Sequence, residues 1–114
     1  MIEIKGIDPR MIANNLTPFE PVHPGELLKS EIEYRGISQG KLATQMGIAY
    51  KMLNNILNER RPISTTTAML FEAALGIDAG LLIRMQADYN LQIAAQDKTF
   101  AVRLKKVRQM ASML

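Results

Sequence analysis

The stretch from Ser38 to Ile56 leaves few folds open to this chain. Apolar Leu42, Ile48, Leu53 and Ile56 sit at helical spacing, and Gly47 interrupts them. A glycine just past a helix takes positive φ at little cost, as a sharp exit requires. Ser38 stands where an N-cap belongs. The spacing predicts two helices crossing steeply over a tight turn, one from Ser38 to Gly47 and one from about Ala49 to Leu57. Ala43 falls midway along the first, where the second crosses it, and a larger side chain there would push them apart. Leu42, Ile48, Leu53 and Ile56 form the seam.

The second of these helices has an inner face of Leu53, Ile56 and Leu57 and an outer face of Tyr50, Lys51, Asn54, Asn55 and Asn58. Asparagine is a poor helix former, so this cluster is odd on a face that needs only to be soluble. Asparagine can bind the N6/N7 edge of adenine, and lysine can reach guanine O6/N7. Tyr50 can stack on sugar or a thymine methyl, or bond a phosphate. A polar helix held proud of a small domain can enter the major groove of DNA. Tyr50, Lys51, Asn54 and Asn55 are therefore the candidate base readers. Gln39 lies in the first turn of the preceding helix, where helix N-termini meet phosphate. Asn58, Arg60 and Arg61 follow the reading helix and are the other candidate backbone contacts, with the two arginines read as phosphate clamps.

Charge agrees with that placement. The formal net charge is +3. Residues 1–33 hold six acids against three bases, net −3, and residues 34–114 hold eleven bases against five acids, net +6. The two-helix motif belongs to the basic part, where phosphate would be met.

The remaining chain is organised around it. Residues 1–22 read as an N-terminal arm: Ile2, Ile4 and Ile7 space like a short strand, Asp8-Pro9 looks like a helix start, and Pro18, Pro21 and Pro24 favour extended chain. Residues 23–96 read as the helical domain. Its first helix opens at His23-Pro24-Gly25-Glu26, with Pro24 at the first position and Glu26 reaching back toward the His23 N–H. Leu27, Leu28 and Ile32 give its stripe, Tyr34 covers the end, and Gly36 stops it. Ser64 caps a fourth helix with Ile63 and Ala68 as a hydrophobic staple, its stripe being Ala68, Leu70, Phe71, Ala74 and Leu75 up to Gly76. Asp78 caps a fifth, containing Leu81, Leu82, Met85 and Tyr89. Residues 97–114 read as a separate amphipathic C-terminal helix: Phe100, Leu104, Val107, Ala111 and Leu114 step by fours and threes like a short coiled-coil seam.

Composition closes off other classes. With zero Cys there is no disulfide and no thiolate metal site. The sole histidine, His23, stands at a helix start and reads as a capping or packing residue; without an acid–His cluster, neither an enzyme nor a cofactor is indicated. No apolar run approaches the ~20 residues of a membrane span, and the N-terminus lacks a signal peptide's basic start and apolar core, so a cytoplasmic protein is expected.

Three further segments carry a resemblance: His23-Pro24-Gly25-Glu26; Arg61-Pro62-Ile63-Ser64 with Thr67-Ala68; and Leu82-Ile83-Arg84-Met85-Gln86-Ala87-Asp88-Tyr89-Asn90-Leu91. With the two-helix motif they resemble the lambda-repressor-like (Xre-type) class and, more closely, the HigA antitoxin family, over roughly residues 22–96. The resemblance implies an all-α fold with a five-helix DNA-binding core, here with an extended arm and an extra C-terminal helix. It implies a dimer that binds double-stranded operator DNA, represses its own operon and neutralises a RelE-like ribonuclease toxin. Matching the family's groove-reading positions gives Ala49, Tyr50, Lys51, Asn54 and Asn55; Gln39 and Asn58 match its phosphate contacts. Three places depart from it. The family often has Phe-Trp where this chain has Leu81-Leu82, so a core aromatic is missing. The usual Ser or Thr capping the reading helix is Ala49, which forfeits about 1 kcal/mol of capping. The usual loop glycine is Glu59, an acid where phosphate should pass. A stand-alone transcriptional regulator without a toxin is the alternative. The arm could add a strand to a partner, and the tail could dimerise, fold back or dock a toxin.

Overall fold

The computed structural model describes residues 21–114, so the strand at Ile2–Ile7 and the helix start at Asp8 lie outside the described residues. Six helices follow one another, with no strand among the described residues: α1 Pro24–Arg35, α2 Gln39–Met46, α3 Tyr50–Leu57, α4 Thr65–Leu75, α5 Ala79–Gln96 and α6 Lys98–Ala111. The all-α reading and its five-helix core are borne out.

Local chemistry explains the boundaries. The first amides of a helix need acceptors from outside it. Ser38 Oγ takes the Lys41 N–H, Ser64 Oγ the Thr67 N–H, Asp78 Oδ2 the Leu81 N–H and Asp97 Oδ1 the Phe100 N–H. At α1 the acceptor is His23 Nδ1, which takes the Gly25 N–H at 2.9 Å. The expectation that Glu26 would close this end is thereby corrected: Glu26 is exposed, and the imidazole, buried over the first turn, does the capping. Among the described helices, only α3 starts without a side-chain cap, at Ala49. Gly36, Gly47 and Gly76 end α1, α2 and α4 at φ of 68°, 71° and 76°.

One core joins the first five helices. It consists of Leu28 and Ile32 of α1, Leu42, Ala43 and Met46 of α2, Leu53, Ile56 and Leu57 of α3, Ile63 before α4, Ala68, Phe71 and Leu75 of α4, and Leu82 of α5. Ala43 is buried as the crossing requires, and Ile48 packs on the rim. Helix α3 contacts α1 and α2, while α4 contacts α2 and α5, so α3 is supported from behind.

Some details differ from the periodicity. Tyr34 is 89% exposed rather than covering the stripe, because α1 has already turned its apolar side inward at Leu28 and Ile32. Ala74 is exposed, since the inner line of α4 runs Ala68–Phe71–Leu75. Helix α5 buries only Leu82 and Gln86.

Helix α6 buries nothing. Its expected seam residues Phe100, Val107 and Ala111 are exposed, Leu104 is half-buried, and among the described helices α6 packs mainly on α5. It does not fold back on the core. Removing residues 97–114 should therefore shift the thermal midpoint by less than about 3 °C, as expected when no buried contact is lost. A larger drop by circular dichroism would mean that its apolar side is covered in solution. Among the described residues, no helix is long and apolar enough to cross a membrane.

Candidate nucleic-acid interface

Helix α3 turns Leu53, Ile56 and Leu57 fully inward, so its other side must face out. Tyr50 is 55% exposed, Lys51 is exposed, and Asn54, Asn55 and Asn58 are half-buried. Ala49 precedes them, exposed, at the uncapped end. Arg60 and Arg61 lie exposed on the loop that follows. Of the sequence-derived candidates, the structure brings Gln39, Asn54, Asn55, Asn58 and Arg60 together, while Ala49, Tyr50, Lys51 and Arg61 are exposed nearby in the chain with no side-chain bond to that group.

Their side chains are joined. Asn54 Nδ2 donates to Gln39 Oε1 at 3.2 Å, which ties the start of α2 to the middle of α3. Arg60 Nη2 donates to Asn54 Oδ1 and Arg60 Nε donates to Asn55 Oδ1, both at 3.3 Å. Asn58 Nδ2 returns to the Asn54 carbonyl at 2.9 Å, and Lys29 Nζ of α1 donates to Asn58 Oδ1 at 3.2 Å. The asparagine cluster therefore has an internal use: it finishes the C-terminal turn of α3 and fixes the following loop. Lys29 was missed in the sequence, because nothing local to it announces a partner 29 residues away.

The loop itself is forced. Glu59 adopts φ of 63°, the one non-glycine residue with positive φ among those described. An L-residue there costs roughly 1–2 kcal/mol. Two backbone bonds hold it: the Glu59 N–H donates to the Ile56 carbonyl, and the Arg60 N–H donates to the Asn55 carbonyl at 2.8 Å. Farther along, the buried carboxamide of Gln86 accepts the Ile63 N–H at 2.8 Å and donates to Asn90 Oδ1 at 3.0 Å. An extended N–H entering a core needs such a partner; sequence reading had treated Gln86 only as part of a motif.

Behind this loop sits His23, 2% exposed, its ring edge-on to Tyr89 with centroids 4.9 Å apart. Burial pushes its pKa down, while the Glu59 carboxylate and a hydrogen bond with the Arg61 backbone pull it up less strongly. The cap bond needs an unprotonated Nδ1. In the unfolded chain His23 titrates near the ordinary ~6.5; folded, it titrates lower. The unfolded state therefore binds more protons between those two values. The stabilisation is fully present above about pH 6.5 and is lost as pH falls through that window toward the folded pKa. Chemical denaturation should show stability falling from pH 7 toward pH 5, and His23→Asn, which keeps a capping oxygen without titrating, should flatten that slope. An equal slope in both proteins would remove His23 as its source.

Comparison with known proteins was consistent with this geometry. A helix-turn-helix family model matches residues 28–82, spanning α2, α3 and α4 with parts of α1 and α5. Virulence-associated protein I of Dichelobacter nodosus is 36% identical over 78 residues, covering 68% of this chain and 72% of that protein. Among solved structures, antitoxin GraA superposes with a TM-score of 0.66 at 32% identity, covering 69% of this chain and 86% of that one. The Pseudomonas aeruginosa antitoxin HigA, solved with higBA promoter, superposes with a TM-score of 0.65 at 27% identity, covering 79% of this chain and 94% of that one.

Proposed function

Because this chain belongs to the HigA antitoxin family of Xre-type helix-turn-helix proteins, we propose that it is a DNA-binding antitoxin that represses its own operon. It binds double-stranded operator DNA as a homodimer and neutralises a RelE-like ribonuclease toxin. The observation that carries the reading is the outer side of α3: Tyr50 and Lys51 stand out from a helix anchored behind by Leu53, Ile56 and Leu57. In a dimer, two such helices about 34 Å apart would read half-sites one helical turn apart. Tyr50, Lys51 and Asn55 serve as base readers, Ala49 lets the backbone approach the groove, and Gln39, Asn58 and Arg61 meet the phosphates beside it. DNA binding is supported by the Pseudomonas aeruginosa neighbours, solved with promoter or operator DNA.

The test is direct. The chain is expressed with the product of the adjacent reading frame, purified through a tag on one partner, and titrated onto its own upstream DNA. Co-purification plus a shift that a scrambled duplex does not compete is the expected result. A shift without co-purification would leave a stand-alone regulator, and no sequence-selective shift would remove the DNA reading. Apparent affinity should also fall steeply with salt, about 0.9 log units per log unit of salt for each phosphate neutralised.

A further inference from the structure

The loop after α3 turns a guanidinium back onto the helix's own outer face, and from this we infer that Arg60 is a positioning residue for sequence recognition, orienting Asn55 to present its N–H donors to guanine. The inference rests on the DNA-binding reading above and deepens it.

A guanidinium carries donors and no acceptor. The groups that Arg60 touches on Asn54 and Asn55 are therefore their carbonyl oxygens, and the two bonds at 3.3 Å from Nη2 and Nε fix both carboxamides in one sense. On Asn55 this leaves the NH₂ group as the end that Arg60 does not engage. On Asn54 the NH₂ is spent on Gln39 Oε1 at 3.2 Å, which in turn leaves the Gln39 NH₂ directed away from that bond. With Lys51 alongside, the side presents donors in succession. Guanine offers two acceptors, O6 and N7, in the major groove, whereas adenine pairs an acceptor with a donor. An asparagine whose oxygen is already engaged is ill-suited to adenine's bidentate pattern and well suited to an acceptor edge.

The backbone makes the arrangement reproducible. The Arg60 N–H is held to the Asn55 carbonyl at 2.8 Å, and the preceding Glu59 is locked at positive φ. The arginine stem therefore leaves the loop at a fixed point over α3. Lysine has one compact ammonium and cannot span two carbonyls as the fork does, so Arg60→Lys keeps the charge while losing the orientation.

Wild type, Arg60→Lys and Arg60→Ala, with unchanged thermal midpoints confirming that the exposed substitution leaves the fold intact, are each used to select sites from a random-sequence duplex library. Binding to the selected duplex is then measured across a salt series. The expected result is a guanine preference in the wild-type half-site that weakens about tenfold or more in both variants, with the salt slope unchanged. If Arg60→Lys keeps the wild-type base preference, or Arg60→Ala lowers the slope by about 0.9, Arg60 contacts phosphate and the inference is wrong. A wild-type preference for adenine at those positions also overturns it. Failure of wild type to select any site is a different result: it removes the DNA-binding reading itself.

Discussion

Replacing Gly25 by alanine should cost this protein about 3 kcal/mol or more, enough to leave much of it unfolded at 37 °C. A Cβ at Gly25 would lie 2.0 Å from the Ile56 carbonyl oxygen and 3.0 Å from His23 Nδ1. The first obstacle is backbone belonging to α3 and cannot swing aside. It is anchored in turn by the Glu59 N–H, which donates to the same oxygen at 3.0 Å. Relief requires moving α1 away from α3, which opens the core that Leu28 shares with Leu53 and Ile56 and withdraws the His23 cap. Overpacking a core commonly costs 1–3 kcal/mol; here the capped helix start is lost as well, worth about another 1 kcal/mol. Gly40→Ala is the internal control. Its Cβ would meet only Ser38 Oγ at 3.7 Å, so the more rigid residue should stabilise by roughly 0.4–1 kcal/mol. Urea melts of the two variants should thus move in opposite directions. A Gly25→Ala protein as stable as wild type would show that α1 and α3 approach less closely than described.

The second large effect concerns binding. Lys51→Ala combined with Asn55→Ala should reduce affinity for the selected operator about a hundredfold or more, while binding to unrelated duplex changes little. Each good base contact is worth roughly 1–3 kcal/mol of discrimination, and the two residues lie one helical turn apart on the outer side of α3. Neither contributes to the buried core, so the thermal midpoint should stay close to wild type. Competition binding with operator and scrambled duplex separates the two quantities. Undiminished selectivity in the double variant would move the reading surface away from α3.

Much of this was legible because the chain is well punctuated. Ser38, Ser64 and Asp78 cap where their sequence positions indicate, and the glycines at 36, 47 and 76 end helices where expected. These are local effects of side-chain oxygens and positive φ. The core followed from the same spacing, apart from Tyr34 and Ala74, whose exposure depends on where neighbouring helices cross. What could not be read were contacts between distant segments. The reason for Gly25 is the Ile56 carbonyl, the partner of Lys29 is Asn58, and the partner of Ile63 is Gln86. The outer side of α3 shows the same limit: asparagines spaced for bases turn out to be tied to one another, to Gln39 and to Arg60, and residue type alone carries no sign of that.

The buried imidazole of His23 has one more consequence, through mass action. Protons bind more readily to the unfolded chain at this site, whereas a ligand that engages only the folded form draws the equilibrium the other way. Each tenfold excess of such a ligand over its dissociation constant adds about 1.4 kcal/mol to the folded side. Within the pH window that separates the folded and unfolded pKa values, that opposes the loss caused by acidification. Acid tolerance and ligand occupancy are then two measures of one free energy, so the pH at which the chain unfolds reports, without any label, how firmly it is held.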